Sequence, residues 1–128
     1  MIEDEPGNPV SLNNLAYALQ RLGDAAALAY AERAVAAAPE QADFLDTYGW
    51  ILVETGDPER GLEVLRDAIT RQSTNDEIRY HIALALVRLQ RTRAAERELT
   101  AAIGSSRPFP SRGDAVALLE QLRGQAAP

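Results

Sequence analysis

Hydrophobic and small residues recur along the 128-residue chain at a spacing close to 34. Ala27, Gly61 and Ala95 keep this step, and several apolar positions keep it with them. These positions are Ala31, Leu65 and Leu99; Ala34, Ala68 and Ala102; and Val35, Ile69 and Ile103. A second set steps by 33 and then 34: Leu15, Tyr48 and Ile82; Ala16, Gly49 and Ala83; Leu19, Leu52 and Leu86. A period of this length with small residues in register indicates stacked helix–turn–helix units.

Capping and stop signals divide the chain into seven predicted helices. Asn8 or Ser11 is suited to cap the first helix, Asp57 the fourth, and Asn75 or Thr74 the fifth. The predicted helices are 8–22, 25–38, 41–55, 58–72, 76–89, 93–103 and 113–123. Small residues on both helices of a pair let them approach closely, so a large side chain at Gly49 or Gly61 would force the helices apart.

Two connections depart from the regular pattern. Gly-Asp forms the first two turns, at 23–24 and 56–57, but Gln90-Arg91-Thr92 occupies the third, which predicts a strained or shifted turn. The segment 104–110, GSSRPFP, has prolines on both sides of Phe109 and predicts a fixed bend before the last helix.

Composition narrows the function classes. The chain has no cysteine, which excludes disulfides and thiolate metal sites, and no apolar run reaches the roughly 18 residues that span a bilayer. Its acidic, polar start is the opposite of a signal peptide. The net charge of −6 divides into −10 for residues 1–78 and +4 for residues 79–128. This asymmetry fits either steering of a charged partner or an unevenly sampled solvated surface.

The 34-residue pattern of small residues, Gly-Asp turn, Ala and closing Pro resembles the tetratricopeptide repeat over residues 8–103. The resemblance implies an all-α, right-handed superhelical solenoid of three repeats with a C-terminal capping helix. The expected parts are a disordered segment 1–8, repeats 9–40, 41–74 and 75–106, a bend and capping helix 107–124, and a tail 125–128.

A narrower resemblance concerns the segments LNNLAYAL, LAYAERAVAAAP, FLDTYGWILVETGDPERGLEVLRDAI and EIRYHIALAL, followed by PFP and a Leu-rich helix. These segments are similar to the C-terminal end of the repeat lipoproteins of bacterial PEP-CTERM/exosortase systems, which are linked to protein sorting and exopolysaccharide export. This resemblance implies a fragment of a longer solenoid in the periplasm or cell envelope. The compartment would otherwise be the cytoplasm, and the chain alone does not decide it.

The family resemblance implies that the first helix of each pair lines a concave groove. Trp50 is the most informative groove position, since Gly49 and Ile51 fit packing positions beside it; its ring either anchors a peptide or packs at the edge of the core. The candidate peptide-binding residues are Asn13, Tyr17, Arg21, Asp43, Asp46, Trp50, Glu54, Tyr80, His81, Leu84 and Arg88. Gln20, Val53 and Glu77 are expected beside them.

Charge limits the ligands that this groove would accept. The family's two-carboxylate clamp needs lysines, and the chain has none, so that mode is rejected. The acidic residues Asp43, Asp46, Glu54 and Glu77 instead favour a neutral to basic segment. Nucleic acid is not expected, because Glu96 and Glu98 interrupt the basic cluster. The basic cluster consists of Arg79, Arg88, Arg91, Arg93 and Arg97. It is more suited to ion pairing within the chain or with a partner.

Three functions compete at this level. A non-enzymatic scaffold for a protein or peptide is favoured, without cofactor, metal or direct membrane insertion. The alternative is a structural end segment that caps a longer array or forms a homodimer through an exposed first helix, where Leu12, Leu15 and Leu19 offer an apolar flank. An enzyme is disfavoured, because His81, the one histidine, is expected to be a hydrogen-bonded surface residue without catalytic partners.

Overall fold

A computed structural model describes residues 8–126, which form seven α-helices and no strand within that range. The helices are Pro9–Arg21 (α1), Ala27–Ala37 (α2), Ala42–Glu54 (α3), Pro58–Arg71 (α4), Asp76–Arg88 (α5), Thr92–Gly104 (α6) and Arg112–Ala126 (α7). All seven predicted helices are present, with ends within three residues of the predicted bounds. Residues 1–7 of the predicted disordered segment and 127–128 of the predicted tail lie outside the described residues. None of the described helices combines the length and apolarity that crossing a bilayer requires.

Side-chain caps begin three of the helices where the sequence predicts them. Asn8, Asp57 and Asn75 each accept backbone N–H groups from two or three residues later, at donor–acceptor distances of 2.9 to 3.3 Å. Each cap satisfies a helix N–H that has no partner within the helix. The start of α1, α4 and α5 is therefore a local property of the sequence.

The turns inside the three helix pairs have the same backbone geometry. Gly23 and Gly56 have φ values of 73° and 102°, and Gln90 adopts φ 61° at the equivalent position. In all three turns, the next residue donates its N–H to the carbonyl five residues earlier, at 2.8 or 2.9 Å. The third turn is thus strained, as predicted, but it is not shifted. A left-handed conformation costs a non-glycine residue about 1–2 kcal/mol, which the surrounding packing offsets.

The second helix pair has the close approach that its glycines predict. A Cβ atom added to Gly49 would lie 2.6 Å from Leu65 Cγ, and one added to Gly61 would lie 2.6 Å from Val53 Cγ2 and 2.8 Å from the Gly49 carbonyl oxygen. The last contact is with backbone, which cannot rotate away. Only glycine at both positions allows α3 and α4 to pack at this distance.

Helices from successive pairs stack into two layers. Each helix packs on the next in the chain, and α3 also contacts both α1 and α5, so the first helices of the three pairs form one continuous layer. Ile51, Leu65, Ile78, Leu86 and Leu99 are fully buried between the layers. The chain is an all-α helical solenoid, in agreement with the predicted fold class.

The bend before α7 is held by two acidic residues at the start of α5. The Asp76 carboxylate, almost fully buried, accepts hydrogen bonds from Ser105 Oγ at 2.6 Å and Arg107 Nε at 3.2 Å. Glu77 accepts from the backbone N–H and the hydroxyl of Ser111, at 2.9 and 2.6 Å. These contacts fix the direction in which α7 leaves the bend.

Helix α7 packs on α6, as α3 packs on α2 and α5 on α4, and it continues the register of the first helices, but it has a different outer face. Ala115, Leu119 and Leu122 are buried against the stack. Ala117 and Glu120, which lie 34 residues after the buried Ala83 and Leu86, are exposed. A polar glutamate where each repeat has leucine gives this face no apolar stripe for a further helix, which suits a cap. Residues 125 and 126 of the predicted tail belong to α7.

The prediction that Leu12, Leu15 and Leu19 form an exposed apolar flank on α1 is partly wrong. Leu12 is buried against Ala34 and Phe44, and Leu19 is half-buried, because both side chains point toward the layer beneath. Leu15 is exposed, as predicted. The exposed large apolar residues at this end are Val10 (56% exposed), Leu15 (42%), Tyr17 (46%) and Leu22 (81%).

Candidate functional site

A concave cavity of about 490 Å³ lies along the layer formed by α1, α3 and α5 and is closed on one side by the start of α7. We call this cavity the ring groove, because aromatic side chains form its wall. Its lining residues are Tyr17, Gln20, Arg21, Trp50, Glu54, Glu77, Tyr80, His81, Leu84, Arg88, Ser111 and Asp114.

Four rings follow one another along the groove. Tyr17 and Trp50 have centroids 5.5 Å apart at an interplanar angle of 37°, and Trp50 stacks on His81 at 5.8 Å and 23°. Tyr80 completes the row, 5.7 Å from His81. The row crosses all three repeats. Tyr17 and Trp50 hold the same position in successive first helices, 33 residues apart, whereas the third repeat contributes His81 and Tyr80, three and four positions before the equivalent Leu84. Rings at these distances support one another and form a continuous aromatic row.

Trp50 contributes both to the groove and to the core. It is half-buried, and its inner side packs on the cluster of Ala16, Ala27, Ala31 and Ile51. Its ring also lines the groove between Tyr17 and His81. The two orientations considered from the sequence are therefore compatible, since the indole is large enough to cover the core edge and present a face to the cavity.

His81 is the centre of a charged network between α3 and α5. Its Nδ1 lies 2.6 Å from Asp46 Oδ1, and its Nε2 lies 3.5 Å from Glu77 Oε2. Burial alone would lower the pKa of His81, but the carboxylates of Asp46, Glu77 and Glu54 raise it above its ordinary value. His81 is hydrogen-bonded, as predicted, but it is not a surface residue: only 8% of it is exposed, because Trp50 and Tyr80 cover it.

Most acidic groups of the groove have partners within the chain. Glu54 Oε2 lies 2.6 Å from Arg88 Nη2, and Glu77 accepts from Ser111. Asp114 lies at the rim without such a contact among the described residues. It acts with Glu77 and Glu54 on Tyr80, whose pKa is raised first by burial and then by these carboxylates, so the phenol stays neutral. The groove is consequently less acidic than its composition predicts.

The structure brings eight of the eleven predicted site residues to the groove. They are Tyr17, Arg21, Trp50, Glu54, Tyr80, His81, Leu84 and Arg88. Asp46 lies beneath the wall as the partner of His81, while Asn13 and Asp43 are outside the lining. The prediction that Val53 faces the groove is wrong, because its side chain is fully buried against Gly61.

Two lining residues are missed by the prediction from sequence. Ser111 and Asp114 enter the groove from the bend and the first turn of α7. They lie 34 residues after Glu77 and Tyr80, so extending the same step by one more copy would have identified both.

The chemistry of the groove is set by His81 and the rings beside it. The hydrogen-bond partner of His81 within residues 8–126 is a carboxylate, not a hydroxyl nucleophile. The same residues contain no group of three or more His, Asp or Glu side chains placed to hold a metal ion. What the groove offers is an apolar wall of rings with polar groups at its rim, which is a common form of peptide-binding surface.

Comparison with known families agrees with this architecture. The family described as "Anaphase-promoting complex, cyclosome, subunit 3" matches residues 24–102, from the first turn to the end of the third helix pair. This is more than half of the chain, and the repeats of that family are of the tetratricopeptide type. No curated protein matches the sequence.

Proposed function

The chain belongs to this family of tetratricopeptide-type repeat proteins, and we propose that it is a non-enzymatic scaffold that binds a peptide or protein segment in the ring groove. Repeats of this type generally bind proteins or peptides, which gives the proposal its class of ligand. The observation that carries it is the row of Tyr17, Trp50, His81 and Tyr80 along one cavity.

The exposure of the row favours binding over packing alone. Tyr17 keeps 46% of its surface exposed although it lies against Trp50, so a considerable aromatic area faces solvent inside a concave surface. Aromatic side chains in such surfaces commonly supply most of the binding free energy, because they bury a large area with little loss of side-chain freedom.

The ligand that we propose is a neutral to basic segment with apolar side chains. Two arginines and three carboxylates line the groove, and Arg88 already pairs with Glu54. Asp114 then remains to attract a positive group, while Arg21 contacts Tyr17, with its guanidinium 5.9 Å from the ring centroid. Ring contacts rather than charge should dominate the affinity.

We expect Trp50→Ala to weaken peptide binding by about 30-fold, the loss typical of a binding hot spot. Peptides selected from a random 12-residue library against the wild-type protein would be labelled, and their affinities measured by fluorescence anisotropy at constant pH. Trp50→Phe keeps an aromatic ring and should retain most of the affinity. Val116→Ala, on the exposed face of α7, is the control and should change nothing. Equal affinities for wild type and Trp50→Ala would refute the groove proposal.

A second candidate function is self-association through α1. Val10, Leu15 and Leu22 are exposed, whereas Tyr48 and Ile82, the equivalents of Leu15 in α3 and α5, are half-buried and buried. In α3 and α5 these positions are covered by the preceding helices. No described helix precedes α1, so nothing among the described residues covers Leu15 in the same way. A second copy of the chain would bury this apolar flank.

Analytical ultracentrifugation tests this second function. We expect a dimer whose fraction rises with protein concentration and which Leu15→Gln weakens, since a polar amide would enter the interface. Val116→Gln makes a comparable change on α7 and should leave the dimer intact. A monomer at every concentration would exclude homodimerisation through α1.

We also propose, from the narrower resemblance alone, a place in a bacterial envelope system of the PEP-CTERM/exosortase type. The genomic sequence upstream of Met1 tests it. Further repeats and a lipid-bearing cysteine are expected there, and a gene beginning at Met1 in an organism without an exosortase would oppose the proposal.

A further inference from the structure

A second cavity, of about 520 Å³, lies between α6 and α7 and shares no residue with the ring groove. Arginines from both helices surround it. Its lining residues are Arg93, Glu96, Arg97, Thr100, Ala101 and Arg123, which we call the arginine cleft. The lining contains three positive charges and one negative charge on a chain whose net charge is −6.

The three guanidinium groups are free to bind. Within residues 8–126, the guanidinium groups of Arg93, Arg97 and Arg123 take part in no hydrogen bond or ion pair, although Glu96 is close in sequence. By contrast, Arg79 and Arg88 of the same sequence cluster pair with Asp76 and Glu54. The sequence favours ion pairing of the basic cluster within the chain or with a partner. In the cleft, the guanidinium groups form no ion pair within the described part of the chain. Three unpaired arginines close together repel one another, and an anionic ligand would relieve that repulsion.

We infer that the arginine cleft binds an acidic, extended peptide segment. Arg93 and Arg97 are one helical turn apart, about 6 Å along α6. Side chains on one face of an extended peptide repeat every two residues, at about 6.6–6.8 Å, so alternate carboxylates match the two guanidinium groups. Arg123 faces them from α7, and the short side chains of Thr100 and Ala101 leave room for the peptide backbone.

A carboxylate ligand fits the cleft better than nucleic acid does. Guanidinium groups pair with carboxylates, as they do with phosphates, through two parallel hydrogen bonds, so the absence of aromatic rings decides between the two ligands. Single-stranded nucleic acid is normally held by stacking of its bases on aromatic rings, and the cleft contains none.

The test measures binding of a fluorescein-labelled hexaglutamate peptide to the full chain by anisotropy, with hexaglutamine as the uncharged comparison. We expect hexaglutamate to bind and hexaglutamine not to bind. The affinity for hexaglutamate should fall as salt is raised from 0.05 to 0.5 M, because charges about 10 Å apart are weakly screened at the lower concentration and strongly screened at the higher one. Arg97→Glu should weaken binding at least about tenfold, since it removes one attraction and adds one repulsion.

Matched variants distinguish binding in the cleft from a general effect of the protein's charge. Arg66→Glu makes the same change in charge on α4, at a residue that also has no ion pair within the described part of the chain. It should alter affinity less than about twofold, because Arg66 lies outside the cleft. Trp50→Ala should bind hexaglutamate with the wild-type affinity. A failure of the peptide-binding proposal for the ring groove can therefore be distinguished from a failure of the proposal for the cleft. Circular dichroism would verify that each variant is folded.

Three results would overturn the inference. They are absence of hexaglutamate binding at low salt, equal losses for Arg97→Glu and Arg66→Glu, and preferential binding of a six-residue oligothymidylate with the same dependence on Arg97. The last result would assign the cleft to nucleic acid instead.

Discussion

Gly61→Val is expected to lower the free energy of unfolding by about 2–3 kcal/mol, the upper part of the range for overpacking. The first added carbon already lies 2.8 Å from the Gly49 carbonyl oxygen, and Val adds two more. Because that oxygen belongs to the α3 backbone, the strain is relieved only when α3 and α4 move apart and lose contact between their cores. The better helix propensity of valine returns only about 0.5 kcal/mol.

Urea unfolding followed by far-UV circular dichroism measures this change. Gly113→Val is the matched control, because nothing lies within 4 Å of a Cβ at Gly113, and its stability should stay within about 0.5 kcal/mol of wild type. Gly61→Ala should fall between the two. Alanine occupies the equivalent positions 27 and 95, but there it faces Ala16 and Ala83 rather than a glycine. An unchanged midpoint for Gly61→Val would disprove the close approach of the helices.

Asp46→Asn is expected to lower the free energy of unfolding by about 2 kcal/mol at pH 6, the usual contribution of a buried hydrogen bond to a charged group. Asp46 is the nearest partner of His81, at 2.6 Å, and the imidazole has little access to water. Asparagine preserves the shape but removes the charge that favours protonated His81. The loss should be smaller at pH 9, because the protonated fraction of His81 falls as pH rises.

The wild-type protein should become less stable as pH rises above the ordinary pKa of histidine. The pKa of His81 is raised in the folded state, so the folded protein holds its proton more tightly than the unfolded chain. The resulting stabilisation is complete below the unfolded pKa of about 6.5 and is lost as pH rises through the folded pKa. The free energy of unfolding should therefore decline above pH 6.5. His81 is the sole histidine and the chain has no cysteine, so few other groups titrate in this window.

Urea unfolding between pH 5.5 and 9 provides the measurement. Asp43→Asn, on the exposed side of the same helix, removes the same charge and should keep the wild-type slope with a change below about 0.5 kcal/mol. In Asp46→Asn the slope should become shallower. If wild type and Asp46→Asn show the same decline, the network around His81 does not contribute to folding as described.

Several parts of the fold could be read from short stretches of sequence. The caps at Asn8, Asp57 and Asn75 and the left-handed turns at Gly23 and Gly56 depend on contacts within a few residues, so local chemistry predicts them. The close approach at Gly49 and Gly61 was also predictable, because glycine in register on facing helices serves few other purposes.

The candidate site could be predicted only in part. Repeat register placed Tyr17, Trp50 and Leu84 on one wall, since equivalent positions of stacked repeats face the same way. It also suggested that Asp43, Asp46 and Glu54 would make the groove acidic. Whether a carboxylate faces solvent or pairs with a neighbouring helix depends on side-chain contacts between repeats, which the spacing does not specify.

By itself the sequence determined the repeat length, the approximate helix limits and the two Gly-Asp turns, because each follows from interactions within one helix pair or from their repetition. The layer that faces the groove was implied by the family resemblance. Only the tertiary structure decided the burial of His81 between Asp46 and Glu77, the pairing of Glu54 with Arg88, and the entry of Ser111 and Asp114 from α7. It also decided which of the described arginines stay unpaired. Apart from the contact of Glu77 with His81 within α5, the contacts among these features join residues 34 or 35 positions apart, so they depend on how the stacked helices set the distances between side chains.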